Sequence, residues 1–182
     1  MNVYDFDETI IYGDSEDYFF KYVLDNIKDI DKEIVVNYLN RSHVSPSIDR
    51  TLLEYSYKEV LTHIKDLDSF LEDFWQVHFK YIKNWYLNQK RSDDVIISAT
   101  PRFILEKAVK RLGVKWLIAT EFDLKNYKVI GANCYKEEKV NRYKCEFGDT
   151  QVDNFYSDSD SDIYMAKIAK CAYKVKDDEI TN

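Results

Sequence analysis

Val3-Tyr4-Asp5-Phe6-Asp7-Glu8-Thr9 is a short apolar stretch that runs straight into two spaced acids. Val3 and Tyr4 read as the end of a buried strand, and Asp5 stands where that strand stops. In extended backbone, residues i and i+2 face the same side, so Asp5 and Asp7 present two carboxylates to one point. Two like charges that close are unfavourable unless a positive charge sits between them. The pattern points to a divalent cation and to phosphate chemistry on it. A turn-capping Asp7 beside a solvated Asp5 is the plainer reading of these seven residues taken alone.

A buried-strand texture returns after Asp94. Val95-Ile96-Ile97 is a β-branched run, as in a strand covered on both faces, and it ends in Ser98-Ala99-Thr100-Pro101. Pro101 suits a first helical position, and Phe103, Leu105, Ala108, Val109 and Leu112 carry that helix to a stop at Gly113. Residues 114–118 read as a strand, 122–131 as a small hairpin, 137–145 as a helix and 152–156 as the next strand. That strand enters Ser157-Asp158-Ser159-Asp160-Ser161-Asp162. A helix through Ile163, Ala166, Ile168 and Ala169 and a last strand over residues 172–175 follow. Such alternation implies a parallel sheet with crossover helices, and the opening strand belongs to it.

Between the first two strands the spacing is helical, with essentially no strand. Gly13-Asp14-Ser15 forms a turn and helix cap, followed by Phe19, Phe20, Val23, Leu24 and Ile27. A short helix surrounds Ile34, Val35, Tyr38 and Leu39. Another opens at Pro46-Ser47, with Ile48, Leu52, Leu53, Leu61 and Ile64 on one face. A long amphipathic helix is expected from Leu67 to about Leu87. The expected organisation is therefore α/β: a Rossmann-like parallel-sheet core of residues 1–13 and 92–182, with residues 14–91 inserted as an α-helical cap.

Lys and Arg number 26 against 33 Asp and Glu, a net charge of −7. That balance argues against a nucleic-acid surface, because phosphate backbones are held mainly by Lys and Arg. The 15 Tyr and 10 Phe lie mostly on helical periods and read as packing. No apolar run approaches the roughly 20 residues of a membrane span, and a strand beginning at residue 2 leaves no room for a signal peptide. Cys134, Cys145 and Cys171 lack metal-type spacing and fit a reducing, cytoplasmic compartment. His43, His63 and His78 are scattered and read as surface or packing residues.

Ligands of open parallel sheets gather at the carboxyl ends of the strands. Three polar clusters fall there: Asp5/Asp7/Thr9, Ser98/Thr100 and Asp158/Asp162. Lys139 lies near the start of the helix that precedes the 152–156 strand. In order, Asp5-Phe6-Asp7-Glu8-Thr9, Ser98, Lys139 and Asp158-x-x-x-Asp162 resemble the four motifs of the haloacid dehalogenase superfamily. The Gly13-Asp14-Ser15 turn and the helical insert resemble its phosphoserine-phosphatase-like branch.

That resemblance implies a magnesium-dependent phosphatase acting on a small phosphorylated metabolite. Asp5 would be the nucleophile that becomes an aspartyl-phosphate. Asp7 would protonate the leaving oxygen and then activate water, and Thr9 would brace its loop. Ser98, the backbone around Ala99 and Thr100, and the helix start at Pro101 would hold the phosphoryl group. Asp5, the Asp7 carbonyl oxygen and Asp158 would hold Mg2+, with Asp162 orienting the site from behind and Lys139 supplying fixed positive charge. Arg102 could reach a substrate anion or lie in solvent, and Asp14 could contact substrate or simply cap its helix. Dehalogenases lack the acid at Asp7, because a halide leaves without a proton.

Two positions depart from the family pattern. Asp14 stands where the serine-phosphate enzymes have Glu, and Ser157 where Gly often precedes the first Asp of the last motif. A phosphotransferase or mutase could use the same residues. A phospho-acceptor signalling domain shares the acids, the hydroxyl and the lysine, but has no place for the helical insert.

Overall fold

β1 (Asn2–Tyr4) lies inside the sheet, and the rest of the chain is arranged about its carboxyl end. The computed structural model describes residues 1–42 and 50–182. Numbered in chain order, the main sheet runs β3 (Trp116–Thr120), β2 (Val95–Pro101), β1, β6 (Val152–Ser157), β7 (Ala169–Lys176) and β8 (Glu179–Thr181). β1 pairs in parallel with both β2 and β6, which sets Val3 opposite Val95 and Phe155. β3 and β7 continue the parallel pairing outward.

Side chains alternate across the sheet, as the two-residue strand period requires. Val3, Val95, Ile97, Ile118 and Phe155 form one core layer with Tyr143 of α7 (Glu137–Phe147) and Met165 of α8 (Ile163–Ile168). Tyr4 and Ile96 belong to the other layer, with Ile104, Leu105 and Leu112 of α6 (Arg102–Leu112) and the insert's Phe19, Phe74 and Trp75. Val95, Ile96 and Ile97 are all buried, as an unbroken apolar run predicts. Across β1, β6 and β7, Tyr4, Tyr156 and Tyr173 stand in register. Their rings stack with centroids 4.6 and 4.8 Å apart.

The sheet is mixed, where the sequence suggested parallel strands alone. β7 is longer than expected, and β8 returns beside it antiparallel. Asp177 and Asp178 alone separate the two strands, far too few residues for a crossover, so a hairpin is the only connection available. β4 (Phe122–Asp123) and β5 (Lys128–Val129) form the expected small hairpin as a separate pair.

The described insert is helical: α1 (Ser15–Asn26), α2 (Lys32–Ser42), α3 (Arg50–His63), α4 (Leu67–His78) and α5 (Asn84–Gln89). The helix start read at Pro46-Ser47, together with Ile48 and His43, lies outside the described residues. Asp14 caps α1 by accepting the Asp17 N–H at 2.9 Å, and Asp66 caps α4 in the same way. The aromatic residues do pack: the Phe19 ring meets those of Tyr57, Phe70, Phe74 and Phe103.

The single long helix expected over residues 67–87 is broken. α4 ends at His78, a 3₁₀ turn covers Phe79–Tyr81, and Ile82 and Lys83 are extended before α5 starts. Neither Gly nor Pro marks the break. Contact with the loop after β1 causes it: Ile82 bridges to Ile11, Tyr12 N–H donates to Tyr81 O at 3.0 Å and Lys83 N–H donates to Ile10 O at 2.8 Å. Backbone bonds to a distant segment replace those the helix would have made. No helix among the described residues is long and apolar enough to cross a membrane.

Candidate active site

Asp5 follows β1 directly, and its N–H still donates to Tyr156 O at 2.9 Å, so the sheet holds its backbone. Its side chain turns toward Lys139 in the first turn of α7. The Lys139 ammonium stands 2.7 Å from Asp5 and 2.8 Å from Asp162, and the three residues are 7, 3 and 2% exposed in the order Asp5, Lys139, Asp162. Burial alone would lower the lysine's pKa, but Asp5 and Asp162 outweigh it and hold the ammonium above its ordinary value. Asp5 is pushed well up by burial; Lys139 opposes this, while Asp162 and Asp158 add to it.

Thr9 ties this cluster to the loop after β6. Its hydroxyl lies 3.5 Å from Asp5 Oδ2 and 3.4 Å from Asp158 Oδ1, and it accepts the Asp158 N–H at 2.9 Å. Ser157 donates to Asp162 at 2.7 Å and accepts the Ser159 N–H at 3.0 Å. The hydroxyl at this departure from the family's glycine therefore braces the acidic loop. Burial, with Asp162 nearby, raises the Asp158 pKa.

Asp7 faces the other way. Its Oδ1 accepts the Ser15 N–H at 2.7 Å and the Ser15 hydroxyl at 2.5 Å, at the start of α1. Its Oδ2 accepts Ser98 at 3.2 Å and Thr100 at 2.7 Å, from the end of β2. Glu8, directly after Asp7, has φ +53. One left-handed residue turns the chain sharply there.

Asp5, Asp7, Asp14, Ser98, Ala99, Thr100, Lys139, Asp158 and Asp162 line one cavity of about 440 Å³ at the carboxyl ends of β1, β2 and β6. Thr9 is buried beside them. Arg102 is not among the lining residues: it forms an ion pair with Glu121 at 2.7 Å. Asp160 pairs with Lys174 at the surface.

The structure also brings in residues that sequence spacing did not single out. Glu16 and Tyr38 reach the cavity from α1 and α2, Thr120 from the end of β3, and Asn133 and Tyr135 from the segment after β5. Glu16 accepts a hydrogen bond from Tyr57 of α3. Burial pushes its pKa up to about 7, with Asp7 and Asp17 contributing and the Tyr57 and Tyr38 hydroxyls opposing. Asp14 is likewise raised well above its ordinary value by burial, then by Asp7 and Glu16. The proximity of Glu16 to the Asp14 turn was its only sequence signal.

Among the described residues, no group of three or more His, Cys, Asp or Glu side chains is placed to hold a metal. The Asp7 carboxylate is committed to Ser15, Ser98 and Thr100, and that of Asp162 to Lys139 and Ser157. Asp5 and Asp158 remain, within reach of one hydroxyl and both raised in pKa by burial and like charge. Two carboxylates and a carbonyl suit Mg2+, which keeps several waters and takes phosphate oxygens, better than a metal needing a full cage. The donor set fits that ion.

The chain belongs to the haloacid dehalogenase-like hydrolase family, whose model matches residues 3–167, from the opening strand through the acids after β6. Among solved structures, a protein of unknown function from Bordetella pertussis Tohama I is similar at 17% identity and a TM-score of 0.78, over 92% of this chain and 85% of that one. A phosphoserine phosphohydrolase-like protein from Francisella tularensis subsp. tularensis SCHU S4 shares 13% identity at a TM-score of 0.56, over 92% and 82%. A phospho-aspartyl intermediate analogue of phosphoserine phosphatase shares 16% identity at a TM-score of 0.51, over 93% and 83%. No curated protein matches the chain. At these identities the likeness is one of fold.

Proposed function

We propose that this protein is a Mg2+-dependent phosphatase that hydrolyses a small phosphomonoester through an aspartyl-phosphate on Asp5. The observation that carries the reading is the separation of the two acids: Asp5 is held by Lys139 at 2.7 Å, while Asp7 is held apart from it by Ser15, Ser98 and Thr100. That separation supports attack by Asp5 and proton movement by Asp7.

In the first step an Asp5 oxygen bonds to phosphorus as the bond from phosphorus to the leaving oxygen breaks. Asp7 delivers the proton that lets the alcohol depart neutral. In the second step water attacks phosphorus, Asp7 takes the water's proton, and the Asp5–phosphorus bond breaks to release phosphate. Ser98 and Thr100, which now donate to Asp7, are within reach to donate to the phosphoryl oxygens. The start of α6 adds its helix dipole. Lys139 offsets the repulsion between an arriving phosphate dianion and Asp5. Mg2+, held by Asp5, Asp158 and the Asp7 carbonyl, would neutralise the rest of that charge.

The helical insert, residues 14–91 in this proposal, acts as a cap that excludes bulk water and shapes the leaving-group end. Lys139 is the only Lys or Arg among the described lining residues. Asp14 and Glu16 on the insert side therefore favour a neutral or cationic alcohol over an anionic one. A cytoplasmic setting is part of the proposal, consistent with the free thiols of Cys134, Cys145 and Cys171.

The test is phosphate release from a panel of phosphorylated metabolites, with and without EDTA. Turnover should stop with EDTA and return with Mg2+, and Asp5→Asn should lose it by roughly 10⁴-fold or more. Full turnover in metal-stripped protein, or an active Asp5→Asn, would defeat the reading. An added alcohol acceptor separates hydrolysis from phosphoryl transfer.

A further inference from the structure

We infer that Lys83 is a positioning residue for Asp7, acting through the backbone of Glu8. The inference rests on the phosphatase reading above. Lys83 is 0% exposed, although it lies in a segment outside any helix. Its ammonium donates to the Glu8 carbonyl at 2.5 Å and lies 5.1 Å from the centroid of the Tyr12 ring. Its partners among the described residues are thus a carbonyl and a ring face, with no carboxylate in ion-pair contact. Glu8, Asp178, Asp177 and Asp158 attract the ammonium only from beyond ion-pair contact. A buried ammonium without a contacting carboxylate costs stability, and an apolar side chain of similar length would pack at less expense.

What the ammonium holds is the Glu8–Thr9 peptide, which fixes the left-handed residue that follows Asp7. Glu8 has φ +53, an uncommon conformation for a side-chain-bearing residue. Its N–H donates to Gly13 O at 3.0 Å while its carbonyl takes Lys83, so the left-handed residue is gripped at both ends. On one side of this residue Asp7 turns to Ser15, Ser98 and Thr100. On the other, Thr9 turns back to Asp5 and Asp158. The grip belongs to the insert, because Tyr81, Ile82 and Lys83 bond to Tyr12, Ile11 and Ile10 on the far side of the same loop. Releasing the Glu8 carbonyl frees the Glu8–Thr9 peptide to rotate, which loosens the left-handed turn at Glu8 and, through it, the backbone at Asp7.

A merely structural lysine and a positioning lysine differ in how the rate depends on the leaving group. A displaced general acid costs rate where the departing oxygen needs a proton, and little where it does not. The experiment compares kcat/KM, which reports steps up to aspartyl-phosphate formation, for a simple alkyl phosphate and for p-nitrophenyl phosphate. The proteins compared are wild type, Lys83→Met and Lys83→Arg, each checked for folding by circular dichroism. Lys83→Met should lose about tenfold or more on the alkyl ester relative to its loss on the nitrophenyl ester. Lys83→Arg, which keeps a cationic donor, should stay near the wild-type ratio. If Lys83→Met does not fold, Lys83→Gln, a shorter neutral donor, takes its place with an intermediate change in the ratio expected. Equal losses on the two esters, or no loss, overturn the inference while leaving the phosphatase reading intact. A wild-type protein inactive on both esters and on the whole metabolite panel overturns both.

Discussion

On the sheet side of the cavity, Asp5 and Asp162 close on Lys139 at 2.7 and 2.8 Å. On the insert side, Asp14 and Glu16 face tyrosine hydroxyls and other acids, and burial drives both toward protonation. The first group carries its counter-charge within the fold, so its geometry does not wait for a ligand. The second has no described cation, so any positive group or proton there must come from outside. A single cavity thus has one wall that carries its own counter-charge and another that does not.

The strongest way to break this contrast is Lys139→Met. It strands Asp5 and Asp162 in the interior without their cation, and losing one partner of a buried pair costs about 3–5 kcal/mol. Urea denaturation at neutral pH should show a loss of that order, together with loss of phosphatase activity. A melt close to wild type would mean that the sheet-side charges are balanced in another way.

Next in size is the pH dependence carried by Glu16. Its ordinary pKa is 4.5 and its folded value is about 7. Between those values the folded protein keeps a proton that the unfolded chain has released. Glu16's contribution to stability is therefore full below pH 4.5, falls as pH rises to about 7, and is level above that. The fall is roughly 3 kcal/mol. Denaturation at about pH 5 and pH 8 should show Glu16→Gln less sensitive to pH than wild type by that order. Equal sensitivity would mean that Glu16 is charged in the folded protein and already has a partner.

The smallest effect belongs to Arg102→Ala. Its ion pair with Glu121 is about a third exposed on each side, and such pairs contribute about 1 kcal/mol or less. KM for a phosphomonoester should change little. A large rise would show that Arg102 leaves Glu121 for the substrate, and would place a cation beside the cavity after all.

The contrast between the two walls also marks what could be read from the sequence. Val95-Ile96-Ile97 announced a strand through side-chain type alone, and Asp5, Asp7, Ser98, Asp158 and Asp162 follow from strand-end positions that local pattern can locate. Lys139, at a helix start, stands out only through resemblance to the family's motifs. The break at Ile82-Lys83 could not be read, because no Gly or Pro signals it and the competing bonds come from residues 10–12, about 70 positions away. β8 was missed because three exposed residues carry no alternation. Glu16 and Tyr38 lie on helices whose periodicity reports a buried face, not which polar atom reaches a cavity. Arg102 follows the end of β2 directly, yet Glu121 captures it across a sequence distance that no local pattern encodes.

The stacked rings of Tyr4, Tyr156 and Tyr173 carry one more consequence. They belong to strands contributed by opposite ends of the chain, and they come within coupling distance only when β1 is seated between its neighbours. Closely stacked phenols share their electronic transitions, and near-ultraviolet dichroism vanishes when side-chain packing is lost. The protein thus holds an intrinsic optical reporter for insertion of the strand that leads into Asp5, separate from the far-ultraviolet signal of its helices.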